Sequence, residues 1–413
     1  MEQENVGLYL GMDISEKYTM ISIYQQHMKE PQTISTIMGS ESYQIPTALA
    51  KKKGVGQWFF GREAKVRVKS GEALGVEDLL DKARTGEEVF LEHEKYAASD
   101  LLAIFLKRVL SLAGSAQAMM PLTKLVICLD KVSVEYMELF SAIMVKLGIE
   151  TDKLLLIDRR ESFYYYALSQ GPETFLHDVV MFDYTESDMV SCRLRRNMHT
   201  TPQVINLDQK NHGKLLDQKD GEFQKIAQDV IDGQVVSAVY LIGDGFDGDW
   251  MKASLQYLCH TRKVFVGKNL YSKGACYAGF IKDGKRDWPF VYIGDNELKL
   301  NLYLKVLVGN EMQFFTLITA GQSWFDEVGE CEVILDGTPE IEVWIQRPES
   351  REAHVELLEL TDMVERERRT SRLRITAEPI SVRDRQNTIH DLGFGEIAPS
   401  SNRTWEHTVC LEE

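Results

Sequence analysis

The chain has 413 residues, a formal net charge of −16 and a pI near 5.2. Its composition, 44% hydrophobic and 27% charged, is typical of a soluble globular protein with roughly two or three domains. The acidic balance argues against binding to nucleic-acid backbones and to anionic membrane surfaces. The sequence shows no signal-peptide pattern at its start and no apolar run near the roughly 20 residues of a membrane span. We therefore expect a cytoplasmic protein, and the absence of targeting signals suits a bacterial one.

The six cysteines are scattered along the chain, and none belongs to a CxxC pair. The nine histidines show no HExxH or other metal-ligand spacing. Most cysteines lie inside apolar runs, so we expect free, buried thiols and no zinc site. Cys259 and His260 are adjacent, and adjacent residues on a helix do not face each other, which argues against a catalytic pair.

The first half of the chain alternates short apolar runs with helical patterns. Predicted strands cover residues 6–13, 18–25, 43–50, 57–61, 125–129, 154–158, 179–183, 189–193 and 239–242, and predicted helices cover 101–112, 134–147, 162–169, 223–231 and 250–257. A polar insert without clear periodicity spans 197–221, and residues 51–54 are expected to form a solvated turn. Strands that alternate with helices in this way predict an α/β layer fold. From about Trp288, short β-type runs separated by turn residues predict an antiparallel β domain.

Five stretches of sequence occur in a characteristic order. They are Gly11-Met12-Asp13; Ile45-Pro46-Thr47 with Phe60-Gly61-Arg62-Glu63-Ala64-Lys65; the helices within Leu125–Gly148 and Leu155–Ser169; Val179–Asp183; and Val239–Gly245 followed by Asn269–Gly279. In this order they resemble the first phosphate loop, a chaperone "PS/T…vG..Ak" stretch, the helices that connect two lobes, the second phosphate loop and the adenosine motif of the actin, sugar kinase and DnaK-type heat-shock chaperone superfamily. The resemblance spans nearly the whole chain.

Both phosphate loops depart from the superfamily pattern. In active relatives, glycines let the main chain approach the phosphates and point its N–H groups at them. Here the loops Asp13–Lys17 and Asp183–Asp188 contain no glycine, and Glu16 falls near the expected phosphate position. A carboxylate within about 4 Å of a phosphate costs several kcal/mol at an effective dielectric near 20 unless a metal intervenes. These departures predict weak or absent ATP hydrolysis.

The resemblance implies a role for particular residues. Asp13 and Asp183 would hold the water shell of Mg²⁺, and Lys82 would contact phosphate. A structural alternative exists for each, because an acid that ends a buried strand caps the next turn, and Lys82 is equally well a solvated lysine. Further phosphate-site residues implied by the resemblance are Ser15, Glu16, Lys17, Thr185 and Glu186. The water-positioning glutamate of relatives corresponds to Arg159 or Glu161, and the register leaves both open.

The adenosine side of the cleft is implied by Gly243, Asp244 and Gly245. The two glycines would admit the backbone close to a nucleoside, and Asp244 would meet a ribose hydroxyl. The segment from Asp183 to Val239 is, however, much shorter than in the chaperones, where it supplies a charged helix that clamps adenine. The cofactor expected from the resemblance is therefore ATP or ADP with Mg²⁺, or none.

Two features near the C-terminus have open interpretations. The mixed-charge run Glu365–Arg369 indicates a solvated turn and strand face. The loop Asp391–Ser401, which contains Gly393-Phe394-Gly395, follows no nucleotide-binding βαβ pattern and indicates a structural turn, with Trp405 either pinning it or forming a protein-binding spot.

We expect an actin/heat-shock-type α/β fold in residues 1–285, with lobe I at about 1–165, lobe II at about 166–285 and a truncated insert at about 195–235. Residues 286–413 would form a β-rich domain that resembles a chaperone substrate-binding sandwich. The expected function is a protein-binding or scaffolding module with weak or absent ATP hydrolysis, whose unknown protein partner binds the β domain. The alternative is an active chaperone-like ATPase in which the Mg-ATP state gates the β domain. A sugar or acetate kinase is disfavoured, because no substrate-lobe motif stands out.

Overall fold

A computed structural model describes residues 7–37, 39–114, 121–185, 187–324, 328–380 and 384–410. The chain forms two compact units. The first comprises the chain up to Arg195 together with Leu207–Trp288, and the second comprises Arg196–Asn206 together with the chain from Pro289 onward. The division after Trp288 lies close to the boundary drawn from the sequence at residue 285, and the short segment Arg196–Asn206 joins the second unit.

The first unit contains sixteen strands and eight helices within its described residues. The strands are β1 (Leu8–Ile14), β2 (Tyr18–Tyr24), β3 (Gln32–Thr33), β4 (Ile45–Pro46), β5 (Leu49–Lys52), β6 (Trp58–Phe60), β7 (Ala73–Val76), β8 (Glu88–Leu91), β9 (Glu94–Ala97), β10 (Leu122–Leu129), β11 (Leu154–Asp158), β12 (Asp178–Asp183), β13 (Val190–Asn197), β14 (Gln203–Asn211), β15 (Val236–Ile242) and β16 (Lys263–Gly267). The helices are α1 (Gly61–Lys69), α2 (Leu79–Thr85), α3 (Ala98–Gly114), α4 (Val134–Leu147), α5 (Arg159–Leu168), α6 (Lys219–Ile231), α7 (Lys252–Leu258) and α8 (Leu270–Lys282). The last residues of β13 and the first residues of β14 fall within Arg196–Asn206 and so belong to the second unit.

The two large sheets have the same connectivity. The first has the strand order β11-β10-β1-β2-β3, with β4 also paired to β2. The second has the order β16-β15-β12-β13-β14, and the first residues of β14 also pair with the strand Phe290–Tyr292. In both, the first strand pairs antiparallel with the second and parallel with a later strand on its other side. The strands β1 and β12 therefore occupy equivalent central positions, and Asp13 and Asp183 lie at their carboxyl ends.

Helix α8 packs tightly on the first sheet and on helix α5. Helix α5 follows β11 of that sheet, whereas α8 follows β16 of the second sheet and packs on β1, β10 and α5. Glycines permit this close approach: a Cβ on Gly11 would lie 2.1 Å from the backbone oxygen of Ser272, and a Cβ on Gly274 would lie 2.2 Å from that of Ser162. Because α8 connects the second sheet to the face of the first, its first turn reaches the ends of both central strands.

Smaller elements complete the first unit. Strands β5, β6 and β7 form a three-stranded sheet that packs with α1 around Ala50, Phe59 and Ala64. Strands β8 and β9 form a separate hairpin. Three short 3₁₀ turns lie at Thr151–Lys153, Pro172–Thr174 and Asp244–Phe246. Within the described part of the chain, no helix combines the length and apolarity of a membrane span.

The second unit is built mainly from antiparallel strands. Its strands are β17 (Phe290–Tyr292), β18 (Asn301–Val308), β19 (Glu311–Ile318), β20 (Gly329–Leu335), β21 (Glu340–Gln346), β22 (Ala353–Glu359), β23 (Ser371–Pro379), β24 (Asp384–Asp391) and β25 (Thr404–Cys410). Strand β17 is the exception, because it pairs in parallel with Gln203–Ile205 of β14. One four-stranded sheet has the order β19-β18-β21-β22 and the other has the order β20-β23-β24-β25. Alternate residues of both sheets, among them Leu302, Val343, Ile375 and Ile389, form one apolar core. The expected C-terminal β domain is confirmed.

Most elements expected in the first half are confirmed, and two expectations are wrong. The polar insert 197–221 contains β14, whose Val204 and Ile205 are buried although the surrounding residues are polar. Lys51 belongs to β5 rather than to a solvated turn, because its 7% exposed side chain pairs with Glu92 and Glu94. Cys128, Cys192 and Cys276 are free and buried as expected, whereas Cys259 is free and exposed.

Candidate functional site

A cavity of about 770 Å³ lies in the first unit where β1 and β12 end. Its walls include the turn after β1, the starts of α2 and α5, parts of β13 and β14, and the first turn of α8. Placement at the carboxyl ends of parallel-paired strands is where open α/β sheets bind ligands, because the adjoining loops leave a crevice there.

Asp13 lies behind this cavity and is paired with an arginine. The residue is 5% exposed, and its Oδ1 lies 3.6 Å from Nε of Arg159. Burial raises the pKa of Asp13 above its ordinary value, and the charge of Arg159 only partly opposes this effect. Arg159 lines the cavity, and its Nη1 lies 3.6 Å from Oδ1 of the exposed Asp130. The guanidinium therefore separates Asp13 from the cavity.

Arg159 remains a cation in this setting. Burial alone would lower its pKa. The neighbouring Asp13, Tyr271 and Asp183 have the opposite and larger effect, so the net shift of the pKa is upward. Its guanidinium also lies 5.2 Å from the centre of the Tyr271 ring, within the range of a cation–π contact.

Asp183 is held by three donors. Its Oδ2 accepts a hydrogen bond of 2.5 Å from the Tyr271 hydroxyl, and its Oδ1 accepts from the backbone N–H and the hydroxyl of Thr185, at 2.8 and 2.5 Å. Burial and the charge of Asp183 hold the pKa of Tyr271 well above its ordinary value, so the phenol keeps its proton. A continuous set of contacts thus runs from Asp13 through Arg159 and Tyr271 to Asp183.

The site does not fit a magnesium ion between Asp13 and Asp183. Both oxygens of Asp183 already accept hydrogen bonds, and Asp13 faces the Arg159 guanidinium. A divalent cation about 4 Å from this guanidinium would be repelled by about 8 kcal/mol at an effective dielectric of 20. Among the described residues, no group of three or more His, Cys, Asp or Glu side chains is placed to hold a metal ion.

Glu16 has a structural partner at the cavity wall. Its carboxylate accepts hydrogen bonds from the backbone N–H groups of Leu80 and Asp81, in the first turn of α2. These N–H groups have no partner within the helix, and a carboxylate there also interacts favourably with the helix dipole. Glu16 therefore caps α2, an interaction between residues 64 or more positions apart that local sequence patterns do not reveal.

Of the other residues implied for phosphate binding, some line the cavity and others do not. Ser15 and Thr185 line the cavity, and Ser15 also closes the turn to β2 by donating to the Tyr18 carbonyl. Lys17 and Lys82 do not line it; the ammonium of Lys82 donates to the Glu77 carbonyl at 2.9 Å. Glu186 lies outside the described residues.

The residues implied for adenosine also lie away from the cavity wall. A Cβ on Gly243 would lie 2.5 Å from the backbone nitrogen of Thr185, and one on Gly245 would lie 2.2 Å from the Tyr184 ring. The absence of a side chain at these glycines thus makes room for the loop after β12, and no open space for a ligand lies at their Cβ positions. Asp244 pairs with Lys268 at 2.7 Å and accepts hydrogen bonds from Gln44.

Tyr271 was missed from the sequence, and Arg159 was left there as one of two alternatives. Tyr271 gave no local signal, because its contact with Asp183 spans 88 positions. Arg159 directly follows a predicted strand, so the sequence placed it near the strand ends. The sequence did not show that its guanidinium lies beside Asp13. Its alternative, Glu161, points elsewhere and pairs with Lys282 at 2.8 Å.

Comparison with protein families matches nearly all of the described chain. Residues 30–295 match the model described as "Family of unknown function (DUF5716) C-terminal", and residues 297–411 match the "Domain of unknown function (DUF8552)". No curated protein matches the chain. The first match covers more than half of the sequence, and the chain therefore belongs to the family of unknown function DUF5716, through its C-terminal model.

Proposed function

We propose that this chain is an actin/heat-shock-type protein whose cleft does not support metal-dependent ATP hydrolysis, and that it works as a protein-binding or scaffolding module. The position of Arg159 carries this proposal. In ATP-hydrolysing relatives, carboxylates at the corresponding strand ends hold hydrated Mg²⁺. Here a permanent cation of the protein lies beside Asp13, at 3.6 Å, and lines the cavity in front of it.

The shared connectivity of the two large sheets supports the assignment to this fold. A two-lobed protein of this type has equivalent central strands whose acidic ends face one cleft. The equivalent positions of β1 and β12, with Asp13 and Asp183 at their ends, agree with that arrangement.

The loops around the cavity support the loss of nucleotide chemistry. A phosphate loop needs backbone N–H groups and glycines directed at the ligand. The backbone at Gly243 and Gly245 is instead packed against Tyr184 and Thr185, and Lys82 is directed to a backbone carbonyl outside the cavity. The cavity wall contains more acidic than basic side chains and would therefore repel a triphosphate. The acids are Glu16, Asp78, Asp81, Asp130, Asp183 and Asp188, and the bases are Lys131, Arg159 and Arg160.

The test is calorimetric titration of the full chain with Mg-ATP, together with thermal unfolding and a phosphate-release assay. A ligand at 100 times its dissociation constant would stabilise the folded state by about 2.7 kcal/mol. We expect no binding heat, no shift in the midpoint of unfolding and no phosphate release at millimolar Mg-ATP. Binding of one ATP with phosphate release that is lost in Asp183→Asn would instead support the chaperone-like ATPase.

A further inference from the structure

Helix α1 presents a basic stripe to solvent in an otherwise acidic protein. Residues 51–69 contain seven Lys and Arg and one Glu, whereas the whole chain has a net charge of −16. Arg62, Lys65 and Lys69 are exposed at helical spacings of three and four, so they share one face of α1 with Val66, which is 59% exposed. We refer to Arg62, Lys65, Val66 and Lys69 as the basic stripe.

One sheet of the second unit leaves an apolar face exposed. In the sheet β19-β18-β21-β22, the inward residues form the core, and the alternate residues lie on the opposite face. That face contains Leu307, Met312, Phe314, Trp344 and Leu357, and four of these side chains are 48–57% exposed. The rings of Phe314 and Trp344 contact each other with centroids 5.2 Å apart. We refer to these five residues as the open sheet face.

Three glutamates lie together at one corner of the open sheet face. Glu340 is directly opposite Glu359 across β21 and β22, and Glu342 is opposite Leu357. Like charges placed directly opposite each other destabilise a strand pair. None of the three carboxylates forms an ion pair with a described residue; Glu342 accepts a hydrogen bond of 3.4 Å from the Trp344 indole. The only cation on the described face is Lys305, 5.7 Å from the Trp344 ring centre.

From these two surfaces we infer that the chain self-associates, with the basic stripe of one copy bound to the open sheet face and glutamates of a second copy. The two surfaces are complementary in charge, and each contains exposed apolar side chains that association would bury. Their sizes also agree. The stripe extends about 10 Å along α1, and Glu340 and Glu342 lie about 7 Å apart on β21.

A contact between two different surfaces of identical chains leaves one surface of each kind free in a dimer. Such heterologous contacts extend into rings or filaments rather than stopping at two copies. The inference names a partner for the proposed scaffolding role and rests on that role. It does not depend on the state of the cleft, so ATP binding would contradict the proposed function without affecting the measurements below.

The test is sedimentation equilibrium of the full chain over a range of concentrations, at about 0.05 M and about 0.5 M salt. We expect concentration-dependent association that is at least about tenfold weaker at the higher salt, because complementary surface charges drive it. A chain that stays monomeric at every concentration in low salt would overturn the inference. Binding of the monomer to a labelled DNA oligonucleotide or to anionic vesicles through the stripe would overturn it in favour of another ligand.

Charge reversal distinguishes this contact from nonspecific attraction. Arg62→Glu/Lys65→Glu and Glu340→Lys/Glu342→Lys should each weaken association at least about tenfold. An equal mixture of the two variants should associate again, because each then offers a surface complementary to the other. The control Lys219→Glu/Lys225→Glu makes the same charge change on exposed positions of α6 and should associate like the wild type. Equal effects of the stripe and control variants, or no recovery in the mixture, would overturn the inference.

Discussion

Arg159 determines the chemistry of the cavity at the level of single residues. It contributes a fixed positive charge to a site whose buried carboxylate, Asp13, would otherwise need a cation from solution. The adjoining Tyr271 hydroxyl and the Thr185 donors satisfy Asp183 with hydrogen bonds. The acidic ends of both strands thus have partners within the protein, a cation beside Asp13 and uncharged donors at Asp183.

Replacing Arg159 should destabilise the protein through Asp13. In Arg159→Leu the buried carboxylate loses its partner, and breaking a buried ion pair from one side costs about 3–5 kcal/mol. The double variant Asp13→Asn/Arg159→Leu removes the uncompensated charge and should recover at least half of that loss. Urea unfolding of both variants measures the difference. Equal stability of the single and double variants would show that the two side chains do not interact energetically.

Helix α8 connects the two large sheets, and its packing depends on glycine at the element scale. A Cβ on Gly11 would lie 2.1 Å from the Ser272 carbonyl oxygen in α8. Gly11→Ala should therefore destabilise the first unit by about 2–3 kcal/mol or more, as overpacking of a dense core does. Gly221 is the matched control, because nothing lies within 4 Å of its Cβ position in α6. Gly221→Ala should be neutral or stabilising by up to about 1 kcal/mol, and thermal unfolding of both variants measures this contrast.

The loop Asp391–Ser401 is fixed by a buried ion pair. Arg366 donates to both oxygens of Asp391, at 2.7 and 2.6 Å, and the backbone N–H groups of Gly393 and Ser401 donate to the same carboxylate. The Arg366 side chain is only 8% exposed, so the expectation of a solvated charged run is wrong at this position. The loop is therefore a structural turn, as expected, although its anchor is Asp391.

This ion pair predicts a pH dependence of stability. Burial alone would raise the pKa of Asp391, but Arg366 and the Ser401 donors together hold it below its ordinary value. A carboxyl group with a lowered folded-state pKa contributes its full stability above the unfolded pKa near 4, and the contribution decreases as the pH falls. Asp391→Asn should therefore cost about 3–5 kcal/mol at pH 7 and less at pH 3. The free energies of unfolding of the wild type and of Asp391→Asn, measured at both pH values, give this cost. A cost at pH 3 as large as the cost at pH 7 would contradict the assignment.

At the scale of the whole molecule, the two compact units should respond to these substitutions separately. Gly11→Ala changes a contact inside the first unit, and Asp391→Asn changes one inside the second. Domains with their own cores open as separate cooperative units. Hydrogen exchange followed by mass spectrometry should therefore show lost protection in residues 207–288 for Gly11→Ala and in residues 329–410 for Asp391→Asn. Parallel losses in both units for either variant would show that the chain unfolds as one body.

The sequence predicted the elements better than it predicted the site. Apolar runs ending in an acid identified β1 and β12, and the spacing of Phe140 and Met144 identified α4, because these signals are local. The roles of Glu16, Arg159 and Tyr271 were not predictable in this way. Each depends on a partner far along the chain, and a single sequence does not specify which side chains meet. Lys82 illustrates the same limit, since its long side chain turns to a carbonyl five residues away.

The most direct test of the account is binding of Mn²⁺, a spectroscopic substitute for Mg²⁺, measured by electron paramagnetic resonance. The wild type should bind no Mn²⁺ at the cleft, because Arg159 supplies the positive charge beside Asp13. Arg159→Leu should bind one Mn²⁺ per chain and be stabilised by it, whereas Asp13→Asn/Arg159→Leu should not. Binding of one Mn²⁺ by the wild type that is lost in Asp13→Asn would contradict the account and restore metal-dependent nucleotide chemistry to this cleft.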